Sequence, residues 1–265
     1  MGNFFDGYTA SFCRSILVVS LLTPLALKYR QLESLSLKKT WKFLAGMLAA
    51  SLFTWGPLYY AILHAGVGIS LAIAYASIVL GMFFFGWLLA GERFTKNKAI
   101  SATLGIIGLA LIFSPTTGKL GWLALIAALV SGLSSAANSV LAKRIPYNAT
   151  QSTIMLWMAS IVANFIMAAA FSGSYPVIAW RIQWLYLVIF AISSVIASWT
   201  FVRGVKLIDA GAAGILGLLE IVFGVLIGII FFHERPSLVA ITGMLIIIVA
   251  ADIPYVNHYK SQTEH

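Results

Sequence analysis

Gly214 to Phe232 is an apolar run that carries one charge, Glu220, and closes on His233-Glu234-Arg235. A helix of about 20 apolar residues spans the roughly 30 Å hydrocarbon core of a bilayer. A run of this kind therefore restricts a chain to very few folds. An echo of it lies 142 residues earlier, where Ser70 to Gly91 is closed by Glu92-Arg93. At that offset Ile73 meets Ile215, Gly86 meets Gly228, and the two Glu-Arg pairs coincide. In both places a long apolar segment ends in Glu-Arg, a short polar break follows, and another apolar segment begins. We read this as an internal repeat.

Nine apolar spans are predicted, over residues 9–27, 43–63, 67–91, 99–114, 120–142, 152–172, 183–202, 211–232 and 237–256. They are continuous, not alternating ten-residue strands, so they predict helices and not a barrel. Charged residues make up 9% of the chain and hydrophobic ones 61%, whereas soluble domains carry about 25% charged residues. So few charges could not cover a water-soluble fold, and the fold class expected is an all-α integral membrane protein. The net charge of +9 does not point to nucleic acid, because the basic residues sit in short loops between apolar runs. One set of loops and the tail holds Lys28, Arg30, Lys38, Lys39, Lys42, Arg93, Lys96, Lys98, Lys143, Arg144, Arg203, Lys206 and Lys260. The other holds Lys119, Arg181 and Arg235, and Arg14 inside the first span completes the 17. The positive-inside rule puts the first set and the C-terminus in the cytoplasm, and residues 1–8 outside. Cys13 is the one cysteine, so no internal disulfide can form.

Three spans precede the first Glu-Arg and five lie between the two pairs. A repeat of five spans accounts for the second half, and an odd unit inverts its second copy. That agrees with Arg93 inside and Arg235 outside. Inverted repeats of this kind belong to secondary transporters. The expected division is residues 1–117 as a first repeat of four helices and 118–265 as a second of five plus a short cytoplasmic tail. A tenth span is expected to have preceded Met1.

The pattern resembles the EamA-type members of the drug/metabolite transporter superfamily. The resemblance rests on Gly91-Glu92-Arg93 with Gly108, His233-Glu234-Arg235 with Gly243, Phe12-Cys13-Arg14 at the opening of the first span, and Leu219-Glu220. Prolines that the family places in its fourth and ninth helices are Val79 and Ile221 here. The resemblance implies ten helices in two inverted halves of five, with the first helix absent from this chain. It also implies transport of a small metabolite, often outward.

Glu220 is the sharpest candidate for chemistry. A carboxylate at membrane depth costs about 2.5–3.5 kcal/mol on insertion scales, so it faces the bundle interior. It shares a helical face with Gly217, Gly224 and more loosely Gly228. It therefore either lines a cavity, as a proton site or amine partner, or hydrogen-bonds across a tight helix seam. Arg14 is expected to snorkel to the headgroups or else to bind a carboxylate. Ser131, Ser134, Ser135 and Asn138 form a polar stripe that lipid cannot satisfy, and Asn138 is its best candidate for substrate contact. Trp55 and Tyr59 are one turn apart with Pro57 between them. A proline there frees a carbonyl and bends the helix, and paired aromatics suit either a cavity wall or an interfacial belt. Tyr75, Ser77 and Trp199 are further candidates of that kind. Arg203, one turn after Trp199, reads as an orientation charge. The Glu-Arg pairs read as structural, capping the next helix or pairing across a loop. His64 and His233 have no companion ligands, and no metal or other cofactor is expected.

No Gly-x4-Gly-Lys-Ser/Thr loop occurs, which excludes ATP hydrolysis by this chain as a driver. The leading function class is a secondary transporter exporting an amino acid or related amphipathic solute across a bacterial inner membrane. A non-transporting membrane scaffold and an intramembrane enzyme are the alternatives. The partners expected are a small-molecule substrate, membrane lipid and a second copy of the chain as a homodimer, with no nucleic acid.

Overall fold

The computed structural model describes residues 6–34, 36–114, 121–172, 181–233 and 235–263, with the side chains of Leu37, Phe232 and residues 255–263 left aside. Lys119, Glu234 and the side chain of Lys260 thus fall outside the described residues. Every described element is a helix: α1 (Gly7–Lys28), α2 (Leu37–Leu52), α3 (Trp55–Ala65), α4 (Val67–Ala90), α5 (Lys96–Phe113), α6 (Trp122–Arg144), α7 (Ala149–Phe171), α8 (Ile182–Leu207), α9 (Ala210–Gly217), α10 (Leu219–Phe232) and α11 (Leu238–Thr263). With α2 joined to α3 and α9 to α10, these are the nine predicted spans. Among the described residues eight helices are long and apolar enough to cross a membrane, and Leu238–Pro254 is a shorter apolar helix.

The helix starts follow from short polar side chains. Asp6 accepts from the Thr9 amide at 2.8 Å, Asn148 from the Gln151 amide at 2.9 Å, and Ser237 from the Ala240 amide at 3.1 Å. Each satisfies an amide that the first turn leaves without a partner. The break between α2 and α3 has the cause read from the sequence. Pro57, the third residue of α3, has no amide hydrogen, and Thr54 folds its hydroxyl back onto the Ala50 carbonyl at 2.9 Å. The break between α9 and α10 has no proline. There Leu218 donates to Ile215 at 3.0 Å and Ile221 to Leu218 at 3.1 Å, a one-turn tightening to three-residue spacing beside the weak helix former Gly217.

The chain forms two compact units that cut across its two sequence halves. The first joins residues 1–60 to 137–207, and the second joins 61–136 to 208–265. In the first unit α1 and α7 run antiparallel. Thr9 meets Ser172 at 2.8 Å, Ser15 accepts from Asn164 at 3.0 Å, and Ala26 packs by Ile154. Val18, Trp157 and Ala191 bring in α8, and Met47, Ile145, Met155 and Val202 form a second cluster. The core of the second unit is Val79, Leu109, Ile215, Leu218 and Ile247 from α4, α5, α9, α11 and the link at Leu218.

The second unit carries the repeat in its contacts. Gly108 of α5 and Gly243 of α11 meet backbone to backbone, with each carbonyl against the other's α-carbon. Seven residues away, the Ser101 hydroxyl donates to the Ala250 carbonyl. Adding 142 to Ser101 gives Gly243, and adding it to Gly108 gives Ala250. The two contacts are thus the same contact with the repeats exchanged, the mark of a self-complementary two-fold. Numbers rise on α5 as they fall on α11, so the helices are antiparallel. A two-fold exchanging antiparallel helices lies across them, which makes the repeat inverted. The helix ends agree. Gly91 at φ 67° and His233 at φ 54°, again 142 apart, are the left-handed caps of α4 and α10.

Candidate functional site

In the first unit the residues that could meet a solute gather around Arg14. Trp55 and Tyr59 stack along one face of α3, with ring centroids 6.2 Å apart and planes at 30°. The Tyr59 hydroxyl lies 2.8 Å from that of Ser11 on α1. Arg14 does not snorkel to the headgroups: it is 3% exposed. Its guanidinium carbon lies 4.3 Å from the centre of Trp55, 4.6 Å from Phe190 and 5.4 Å from Trp157. Its Nε and Nη2 are buried without a hydrogen-bond partner. Stacking on three rings contributes about 0.5–2 kcal/mol each. That offsets part of the several kcal/mol that burying an ion costs, but a ring face does not satisfy an in-plane N–H donor. Snorkelling fails because this arginine belongs to an α1 face packed on α7 and α8, while lipid-length stems serve only residues whose face is outward.

Asn138 of α6 is buried in the same unit, its amide donating to Ser51 at 3.2 Å and Thr54 at 3.4 Å, with Ser51 in turn 3.3 Å from Ser160. Asn138 thus joins a hydroxyl of α2 to one in the break at Thr54, and Ser51 continues the chain to α7. Trp199 is elsewhere on α8. Its indole donates to Thr150 at 2.9 Å, and Thr150 donates to Gln31 at 2.6 Å. A cavity of about 510 Å³ opens there among Arg30, Asn148, Trp199, Arg203 and Lys206. Arg203 stacks on Trp199 at 5.4 Å. Lys206 is more than an orientation charge, since its ammonium donates to the carbonyls of Lys143 and Ile145 at 3.2 and 3.1 Å. It thereby closes the C-terminal end of α6.

In the second unit Glu220 lies in the first turn of α10, immediately after the break at Leu218. It is exposed, and Tyr75 of α4 lies beside it. A Cβ built on Gly217 or Gly224 would meet no atom within 4 Å. Gly217 and Gly224 therefore do not form the expected tight seam, and their face is open, while a hydroxyl-bearing partner from a neighbouring helix is present in Tyr75. Tight seams lie instead at positions such as Gly108 with Gly243, and Gly132, where a Cβ would collide with the Ala74 carbonyl and Ser77. Ser77 is buried in that second seam and donates to the Ile73 carbonyl at 2.7 Å.

Glu92 was expected to cap the next helix or pair across a loop. It does neither. Thr95 caps α5, accepting from Lys98 at 3.4 Å, and Glu92 instead accepts from the Ala210 amide at 2.7 Å, capping α9. Gly86 leaves the room for it, because a Cβ there would lie 2.8 Å from the Glu92 carboxylate. Lys98 pairs with Asp209, the N-cap residue of α9, at 2.6 Å. Among the described residues no three His, Cys, Asp or Glu side chains are placed to hold a metal ion.

Comparison with known proteins adds the family. The model of the EamA-like transporter family matches residues 1–114 and 122–252. No curated protein matches the chain. Solved structures are similar in fold, among them a crystal structure with a TM-score of 0.79 over 97% of this chain and 89% of that one, at 17% identity.

Proposed function

The chain belongs to the EamA-like transporter family, and we propose that it is a secondary transporter exporting a small metabolite, such as an amino acid or related amphipathic solute. The two inverted repeats would give alternating access, in a bacterial inner membrane with the C-terminus cytoplasmic. The observation that carries this reading is Glu220. A carboxylate inside an apolar span, exposed on an open face, cannot be left facing hydrocarbon, so that face meets water or solute. Its place at the start of α10 sets it at the positive end of a half-helix, and Tyr75 steadies it. We assign Glu220 to proton or amine exchange and Tyr75 to its positioning. Trp55, Tyr59 and Trp199 serve as aromatic contacts for the solute, Asn138 as a polar one, and Ser77 as support for the α4 wall.

The test is transport in vesicles of the purified chain under an imposed pH gradient, scored with a panel of amino acids and amphipathic amines. Glu220→Gln should abolish gradient-driven movement of whichever solute the parent carries. Full movement by Glu220→Gln would remove Glu220 from the mechanism. Product formation without net movement would favour an intramembrane enzyme, and neither would favour a scaffold.

A further inference from the structure

The first unit contains two acidic residues, Asp6 and Glu33, and neither serves Arg14. Asp6 is taken by the Thr9 amide and the Ser172 hydroxyl, and Glu33 accepts from Asn148 at 3.2 Å. The two unpartnered nitrogens of Arg14, Nε and Nη2, share one edge of the guanidinium. That edge donates two parallel N–H bonds, the geometry that takes both oxygens of a carboxylate. Three aromatic rings hold the guanidinium plane, so the fork is ordered before a ligand arrives and little is lost in ordering it on binding.

We propose that Arg14 is the anchor of a binding site for an organic carboxylate, with Trp55, Trp157 and Phe190 as the apolar walls for the body of the ligand. A spherical ion such as chloride would sit between the two donors and take both in bent bonds. A planar carboxylate satisfies both, and an aromatic or aliphatic body matches the rings around it. Phe190 is 47% exposed and Trp55 half-buried. The exposed side of the cluster at Phe190 gives a carboxylate its way in. That the ligand is also carried rests on the transport reading, whereas the anion site itself does not.

The experiment is calorimetric titration of the purified full chain in lipid-free dodecyl maltoside with benzoate, acetate, chloride and benzylamine. Benzoate should bind saturably, acetate more weakly, chloride at least about tenfold more weakly than acetate, and benzylamine not at all. Arg14→Gln should weaken benzoate by at least about 100-fold, since two charge-assisted bonds are lost. Arg14→Lys keeps the charge but not the fork, and should weaken it about tenfold. Arg14→Lys also provides the comparison if Arg14→Gln does not fold. Absence of saturable carboxylate binding, equal binding of chloride and acetate, or benzoate affinity unchanged in either variant would overturn the proposal. Vesicle flux separates the two readings. Benzoate bound at Arg14 but no solute moved would sink the transporter and leave the site, while a carboxylate moved equally well by Arg14→Gln would do the reverse.

Discussion

The contact between α5 and α11 sets a quantitative demand on two glycines. A Cβ on Gly243 would lie 2.5 Å from the Gly108 carbonyl oxygen, and one on Gly108 would lie 2.7 Å from the Gly243 carbonyl. Carbon and oxygen in close non-bonded contact keep about 3.3 Å, so either Gly108→Ala or Gly243→Ala must part the helices by about 0.6–0.8 Å at the crossing. A gap of that size forfeits a quarter to a half of each dispersion contact across it. With some tens of contacts from Leu109, Ile112 and Ile247, the loss with the accompanying strain comes to about 1–3 kcal/mol. The double variant is more informative. The helices need part only once, so the two costs should not add. If each single change costs about 2 kcal/mol, the pair should cost about 3 rather than about 4, a coupling of about 1 kcal/mol. Dodecyl sulfate unfolding of the chain in mixed micelles, followed by tryptophan fluorescence, reads all three. Ser101→Ala is the control. It removes the bond to the Ala250 carbonyl at a cost of about 1 kcal/mol without parting the backbones. Single variants within about 0.5 kcal/mol of the parent, or strictly additive costs, would refute the self-complementary crossing.

Three further outcomes are expected in the same unfolding assay. His233 holds a left-handed cap at φ 54° where its repeat mate is Gly91 at φ 67°, so His233→Gly should stabilise by about 1 kcal/mol and Gly91→Ala destabilise by about 1–2 kcal/mol. Lys206→Met should cost about 1–2 kcal/mol, because two carbonyls ending α6 lose their donor; Lys206→Arg should recover part of it. Glu92→Ala should cost about 1–2 kcal/mol by uncapping α9, and an unchanged midpoint would show that the Ala210 amide finds another acceptor.

What could be read from the chain was what depends on near neighbours in sequence. Apolar length sets the spans, Pro57 sets the break before α3, and the repeat of Gly91-Glu92-Arg93 in His233-Glu234-Arg235 marks two equivalent helix ends. The inversion followed from counting spans and loop charges, and the antiparallel exchange of Ser101-Ala250 with Gly108-Gly243 supplies its geometry. What could not be read depends on partners far along the chain. Glu92 sits beside Arg93 and Thr95, yet its acceptor bond is to an amide 118 residues away. The compact units were equally hidden, because each is built from pieces of both repeats, and periodicity shows that a face is apolar without showing which helix covers it.

The polar residues divide along the same line. Arg14 and Lys206 are both cations within apolar helices, and composition treats them alike. Lys206 lies at the last turn of α8, where a flexible stem and a compact ammonium can reach the carbonyls that end α6. Arg14 lies two turns into α1 on a face covered by α7 and α8, and its planar head is received by rings instead. A ring face neutralises charge but accepts no in-plane hydrogen bond, so one edge of the guanidinium is left with donors and no acceptor. A substitution that supplies an acceptor from within the protein should therefore compete with any external anion. Val18 is one helical turn from Arg14 and fully buried beside Trp157. Val18→Glu would bring a carboxylate to the guanidinium at i,i+4 spacing. Its expected effect is loss of benzoate binding with the fold retained, because the new ion pair answers the charge that otherwise stands buried alone. Benzoate bound as tightly by Val18→Glu as by the parent would mean that the anion never depended on Arg14.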